Sequence, residues 1–82
     1  MTTIRVRLFA RARDLAGAES VDVEAPPQVR VGELRRRLAE LYPALAPLLE
    51  RSALAVDNEF ADDTQLVSPT AEVALLPPVS GG

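Results

Sequence analysis

The chain has 82 residues with a net charge of −3, enough for one small domain and no second one. It has no cysteine and no histidine, which excludes disulfides and thiolate metal sites and removes the commonest general base and metal ligand. With a pI of about 4.8 and no basic stripe carrying aromatics, no nucleic-acid partner is expected.

Thr3 to Phe9 (TIRVRLF) alternates strictly, with Ile4, Val6 and Leu8 on one side and Arg5 and Arg7 on the other, as in a half-buried strand. Its leading segment lacks the apolar run of a signal peptide or a membrane span, so the expected location is cytoplasmic, with no membrane partner. Ala10 to Gly17 (ARARDLAG) holds helix formers ended by glycine, one or two turns. Glu19 to Ala25 (ESVDVEA) alternates again, with Val21 and Val23 inward. The two alternating runs are expected to pair antiparallel, with Arg5 and Arg7 facing Asp22 and Glu24 at ~0.2–1 kcal/mol per pair.

Pro26-Pro27 stops the second strand. In VGELRRRLAELY, Val31, Leu34, Leu38 and Leu41 form the apolar stripe of an amphipathic helix. Arg30 is a poor N-cap, and Pro43 ends the helix. Arg35, Arg36 and Arg37 are expected on a solvated helix face rather than at a phosphate site. Leu45, Pro47, Leu48 and Leu49 predict an irregular, partly buried segment. Leu54 to Val56 and Glu59 to Ala61 are short strands about an Asp57-Asn58 turn. Val73 to Leu76 is apolar on both faces, as in a central strand.

This order predicts an α+β fold of the β-grasp (ubiquitin-like) type. A mixed sheet of four to five strands has the last strand parallel to the first, and one main helix packs across one face. The domain spans residues 1–77, and residues 78–82 form an extended tail.

Few side chains offer chemistry. Asp57, Glu59, Asp62 and Asp63 lack the spacing of a calcium loop and are expected to form a solvated acidic loop, with no metal site. Ser52, Ser68 and Ser80 have no histidine to activate them. Phe9, Phe60 and Tyr42, the three aromatics, suit a core better than an interface. The group that no fold requires is the carboxylate of Gly82. Of four glycines, two are Gly81 and Gly82 in PPVSGG. Two prolines stiffen the exit and cannot extend the sheet, while two glycines give the narrowest backbone. From Pro78 through Val79, Ser80 and Gly81 to Gly82 the tail reaches ~17 Å at most, enough to thread a tunnel in another protein. A carboxylate is a poor electrophile, so its use requires activation, for example as an acyl-adenylate formed with ATP.

The stretches VRLFARARDLAG (Val6 to Gly17), VGELRRRL (Val31 to Leu38), AVDNEFADD (Ala55 to Asp63) and EVALLPPVSGG (Glu72 to Gly82) together resemble the small subunit of molybdopterin synthase, the MoaD-type sulfur carriers. Asn58-Glu59 departs from the Asn-Gly frequent in that family, and Arg30 stands where a threonine-like cap is usual. The resemblance implies that an adenylating enzyme uses ATP to activate Gly82 and that a sulfur donor protein converts it to a thiocarboxylate. The tail then enters the large subunit, which builds the molybdopterin dithiolene. No cofactor is implied on this chain itself. Alternatives are a carrier for thiamin thiazole or cysteine synthesis, a ubiquitin-like protein modifier, and a plain interaction domain.

Because many such carriers share Gly-Gly, the partner must also read the body. Leu76 ends the central strand and Phe9 ends the strand expected beside it. With Val79 they form an apolar patch, and Arg13 supplies a charged rim contact. Core packing is the other role open to Phe9 and Leu76.

Overall fold

A computed structural model describes residues 1–78. The expected alternation gives β1 (Thr2–Leu8) and β2 (Ser20–Ala25), flanking a short helix α1 (Ala10–Ala16). They pair antiparallel, with Ile4 opposite Val23 and Val6 opposite Val21. Arg5 faces Asp22, its Nε donating at 3.2 Å. Arg7, however, faces Ser20, and Glu24 faces Thr3, so the second expected charge pair does not form. A two-residue offset leaves the same side chains on each face, so the alternation alone does not set which charges meet. α1 ends at Gly17, whose φ of +71° is the left-handed cap that glycine adopts without a Cβ penalty.

The main helix α2 runs Val31–Leu41. Val31, Leu34 and Leu38 are buried, but Leu41 is 55 % exposed. The chain turns at Tyr42–Pro43 into a 3₁₀ turn (Pro43–Leu45) and a short helix α3 (Ala46–Leu49). Leu45, fully buried, and the partly buried Tyr42 fill that end of the core instead.

Arg30 makes no side-chain cap. The free amides of α2 are taken by a distant loop: Val31 N–H donates to the Gln65 carbonyl at 2.9 Å and Gly32 N–H to Asp63 at 3.0 Å. That approach favours glycine, since a Cβ at Gly32 would lie 3.1 Å from the Asp63 Cβ, a tight contact. Arg35 donates to the Leu49 and Ser52 carbonyls and to Asp63, while Arg37 donates to Glu33 and the Glu24 carbonyl. Of the three consecutive arginines, only Arg36 lies on an exposed face.

Strands β3 (Ala53–Val56), β4 (Glu59–Ala61) and β5 (Val73–Leu76) complete a five-stranded sheet in the order β2-β1-β5-β3-β4. β5 runs parallel to β1, with Leu8 opposite Leu75, and antiparallel to β3. Asp57 and Asn58 turn β3 into β4 with φ of +52° and +68°, the double left-handed geometry whose twist suits a two-residue hairpin. Ala12, Val31, Leu34, Leu38, Leu45, Leu48 and Leu49 pack in one core with Ile4, Val6, Leu8, Leu54, Val73 and Leu75.

Candidate docking face and C-terminal exit

Strand alternation sends every second residue to the sheet face opposite that core. Register carries Arg7 across to Ala74, then Ala55, then Phe60. Ala53 lies opposite Leu76 in the next row. The helices pack on the core face, and among the described residues these apolar side chains lie mainly against one another. Ala55 is 7 % exposed, Phe9 37 % and Phe60 77 %. An apolar group with Phe9 and Phe60 exposed at its margins is a candidate interaction surface.

Two shallow grooves cross it. One is lined by Phe9, Ala55, Asn58, Phe60, Ala74 and Leu76. The other, lined by Arg51, Ala53, Phe60, Leu76, Pro77 and Pro78, lies where the chain leaves β5. Phe9 and Leu76 therefore come together on the open face, half-exposed rather than sealed in the core. Arg13 is exposed and lines an adjoining groove with Phe9, Arg5, Arg7 and Glu19, a rim position. Pro78 is exposed at the end of the described residues. Val79, Ser80, Gly81 and Gly82 lie outside them, so the expected tail and the Val79 contribution to the patch do too.

Phe60, expected in the core, is the most exposed aromatic of the face. Its signal was the two-residue turn before it, which fixes Phe60 opposite Ala55 and thereby on the open side. The turn is tied to β5: Asp57 N–H donates to the Glu72 carbonyl at 2.8 Å, and Asp57 Oδ1 accepts from Glu72 N–H at 3.0 Å.

Asp57, Glu59, Asp62 and Asp63 are all exposed, as expected, and three of them also make side-chain hydrogen bonds. Asp62 accepts from the Thr64 hydroxyl at 2.6 Å and from its amide at 2.9 Å. These bonds, the hydroxyl first, hold the Asp62 carboxyl below the usual aspartate range. Asp63 takes Arg35. Among the described residues no helix is long and apolar enough to cross a membrane.

The ThiS family matches residues 6–82. A molybdopterin synthase sulfur carrier subunit from Caenorhabditis briggsae is 38 % identical over 84 residues, covering all of both chains. Among solved structures, SAMP1 from Haloferax volcanii superposes with a TM-score of 0.85 at 27 % identity, over 98 % of this chain and 99 % of that one. In the complex of subunits 1 and 2 of the molybdopterin-converting factor from Helicobacter pylori, the matching chain has a TM-score of 0.71 at 27 % identity, over 99 % of this chain and 100 % of its own. With its sheet order, its open apolar face and full-length likeness to named carriers, this chain belongs to the ThiS family, among the molybdopterin synthase sulfur carrier subunits.

Proposed function

We propose that Gly82 is the reactive end of a cytoplasmic sulfur carrier. An activating enzyme transfers AMP from ATP to its carboxylate with release of pyrophosphate, sulfide-level sulfur from a donor displaces AMP to leave a thiocarboxylate, and the tail delivers that sulfur inside the large subunit of molybdopterin synthase. The observation that carries this reading is the exit of the chain. Pro77-Pro78 leave the central strand beside an uncovered apolar groove, so one partner can hold the body and receive the tail together. The complex of subunits 1 and 2 of the Helicobacter pylori factor supports a large-subunit partner. The chemistry agrees, because a thiocarboxylate is ionised at neutral pH and is the better nucleophile. Catalytic side chains are not needed on the carrier, which has neither histidine nor cysteine.

The test is reconstitution with purified activating enzyme, ATP, sulfur donor and large subunit. Intact-mass analysis is expected to show oxygen replaced by sulfur at Gly82, followed by molybdopterin formation. A chain lacking Gly82 is expected to keep its melting temperature and lose both signals; sulfur gain without Gly82 would overturn the assignment. The likeness to SAMP1, whose Haloferax counterpart is described as a small archaeal modifier protein, favours attachment to protein amines as the second reading. Conjugates that survive denaturing electrophoresis and reducing agent would support it.

A further inference from the structure

The open face of the sheet changes character at β1. Its β5-β3-β4 side is apolar, whereas β1 carries Arg5 and Arg7 there and β2 carries Asp22 and Glu24. Arg5 is already engaged, with Asp22 at 3.2 Å. Arg7 faces Ser20 in register, and among the described residues it has no carboxylate partner. Its guanidinium carbon instead lies 5.3 Å from the centroid of the Phe9 ring. A guanidinium held against an aromatic ring keeps N–H donors free, in the fork geometry that receives a carboxylate. Arg13 lines the same groove, likewise without a carboxylate partner among the described residues. With Arg5 taken by Asp22, Arg7 and Arg13 face one acid in that groove, Glu19, in a chain whose net charge is −3. Phe9 also lines the apolar groove, so the positive strip and the apolar face share an edge.

We propose that Arg7 and Arg13 form a carboxylate-receiving rim, and that the molybdopterin synthase large subunit presents acidic side chains to it while its apolar surface covers Phe60 and Leu76. This rests on the partner assigned above. Docking removes water from the Arg7–Phe9 pair and strengthens a charge-assisted bond there. Because Phe9 already orients Arg7, less side-chain freedom is lost on binding. The apolar face then supplies contact area, and the rim sets orientation and speeds encounter.

Calorimetric titration of purified large subunit into wild type, Arg5→Gln, Arg7→Gln, Arg7→Lys and Arg13→Gln, at low and high salt, tests the rim. Circular dichroism serves as the folding control. Arg7→Gln is expected to weaken binding roughly tenfold at low salt and to flatten the salt dependence. Arg7→Lys should keep the salt dependence but recover only part of the affinity, since an ammonium is not a fork. Arg5→Gln, its guanidinium already spent on Asp22, should stay within about twofold of wild type. Wild-type affinity and salt slope in Arg7→Gln and Arg13→Gln would overturn the rim. A loss in Arg7→Gln that is equal at both salt concentrations would overturn it as well, since it would trace to Phe9 orientation rather than charge. Wild type failing to bind the large subunit would instead overturn the assigned partner.

Discussion

Phe60 sits 77 % exposed on a three-residue strand, where a large aromatic gains little from its own chain. Its removal should therefore cost the fold no more than ~0.5 kcal/mol. Aromatic anchors in apolar grooves commonly dominate binding. Phe60→Ala is thus expected to weaken capture by the large subunit at least roughly tenfold, about 1.4 kcal/mol, with melting temperature nearly unchanged; calorimetric titration and thermal unfolding read the two quantities. Asp62 carries a pH prediction. Its folded-state value lies below the ordinary aspartate value, chiefly through the Thr64 hydroxyl. The stabilisation linked to it is present above about pH 3.9 and is lost as pH falls through the lower folded value. Thr64→Val deletes the leading bond, and carbonyl-detected NMR titration should show the Asp62 midpoint moving up towards the ordinary value.

Among the elements, α2 is anchored by atoms far from it in sequence. Arg35 joins the end of α3, the entry to β3 and the loop at Asp63. Its side chain is 21 % exposed, so its bonds are partly shielded. Arg35→Ala should cost about 1–3 kcal/mol, because the Leu49 and Ser52 carbonyls lose their donor. Arg35→Lys should recover little, since one ammonium cannot span three acceptors held in a fork. Chemical denaturation of both variants measures this, and equal stability of Arg35→Ala and wild type would remove the clamp. Helix α2 was legible from Val31, Leu34 and Leu38, whose period is local. The Arg35 bonds were not, because their partners at Leu49, Ser52 and Asp63 meet it only after the chain has folded back. Leu41 was misjudged for the same reason: periodicity assigns a face, and only Leu45 arriving from the next turn decides where the core ends.

At the scale of the molecule, β1 and β5 run parallel, so the tail leaves at the end of the sheet away from Met1. Phe9, level with Leu76, is eight residues from Met1, about 26 Å of extended strand. The six residues after Leu76 reach ~22 Å at most. There is no lysine, since all nine basic residues are arginine. An adenylated Gly82 therefore meets no lysine of its own chain, and incubation with activating enzyme and ATP alone should yield no cyclised product by intact-mass analysis. A species lighter by one water, with its termini joined, would contradict that placement. By itself the sequence determined the strand periods, the α2 stripe, the Asp57-Asn58 turn and the two-glycine end, all features written within a few adjacent residues. It also placed Phe9, Leu76 and Arg13 near one another, because two parallel strand ends suffice for that. Only tertiary structure decided that Phe60 joins them, that Arg7 lies against Phe9 rather than opposite Glu24, and that among the described residues no helix covers one face of the sheet. Those outcomes depend on strand register and on which side the helices pack, and each is settled by burial summed over the whole chain.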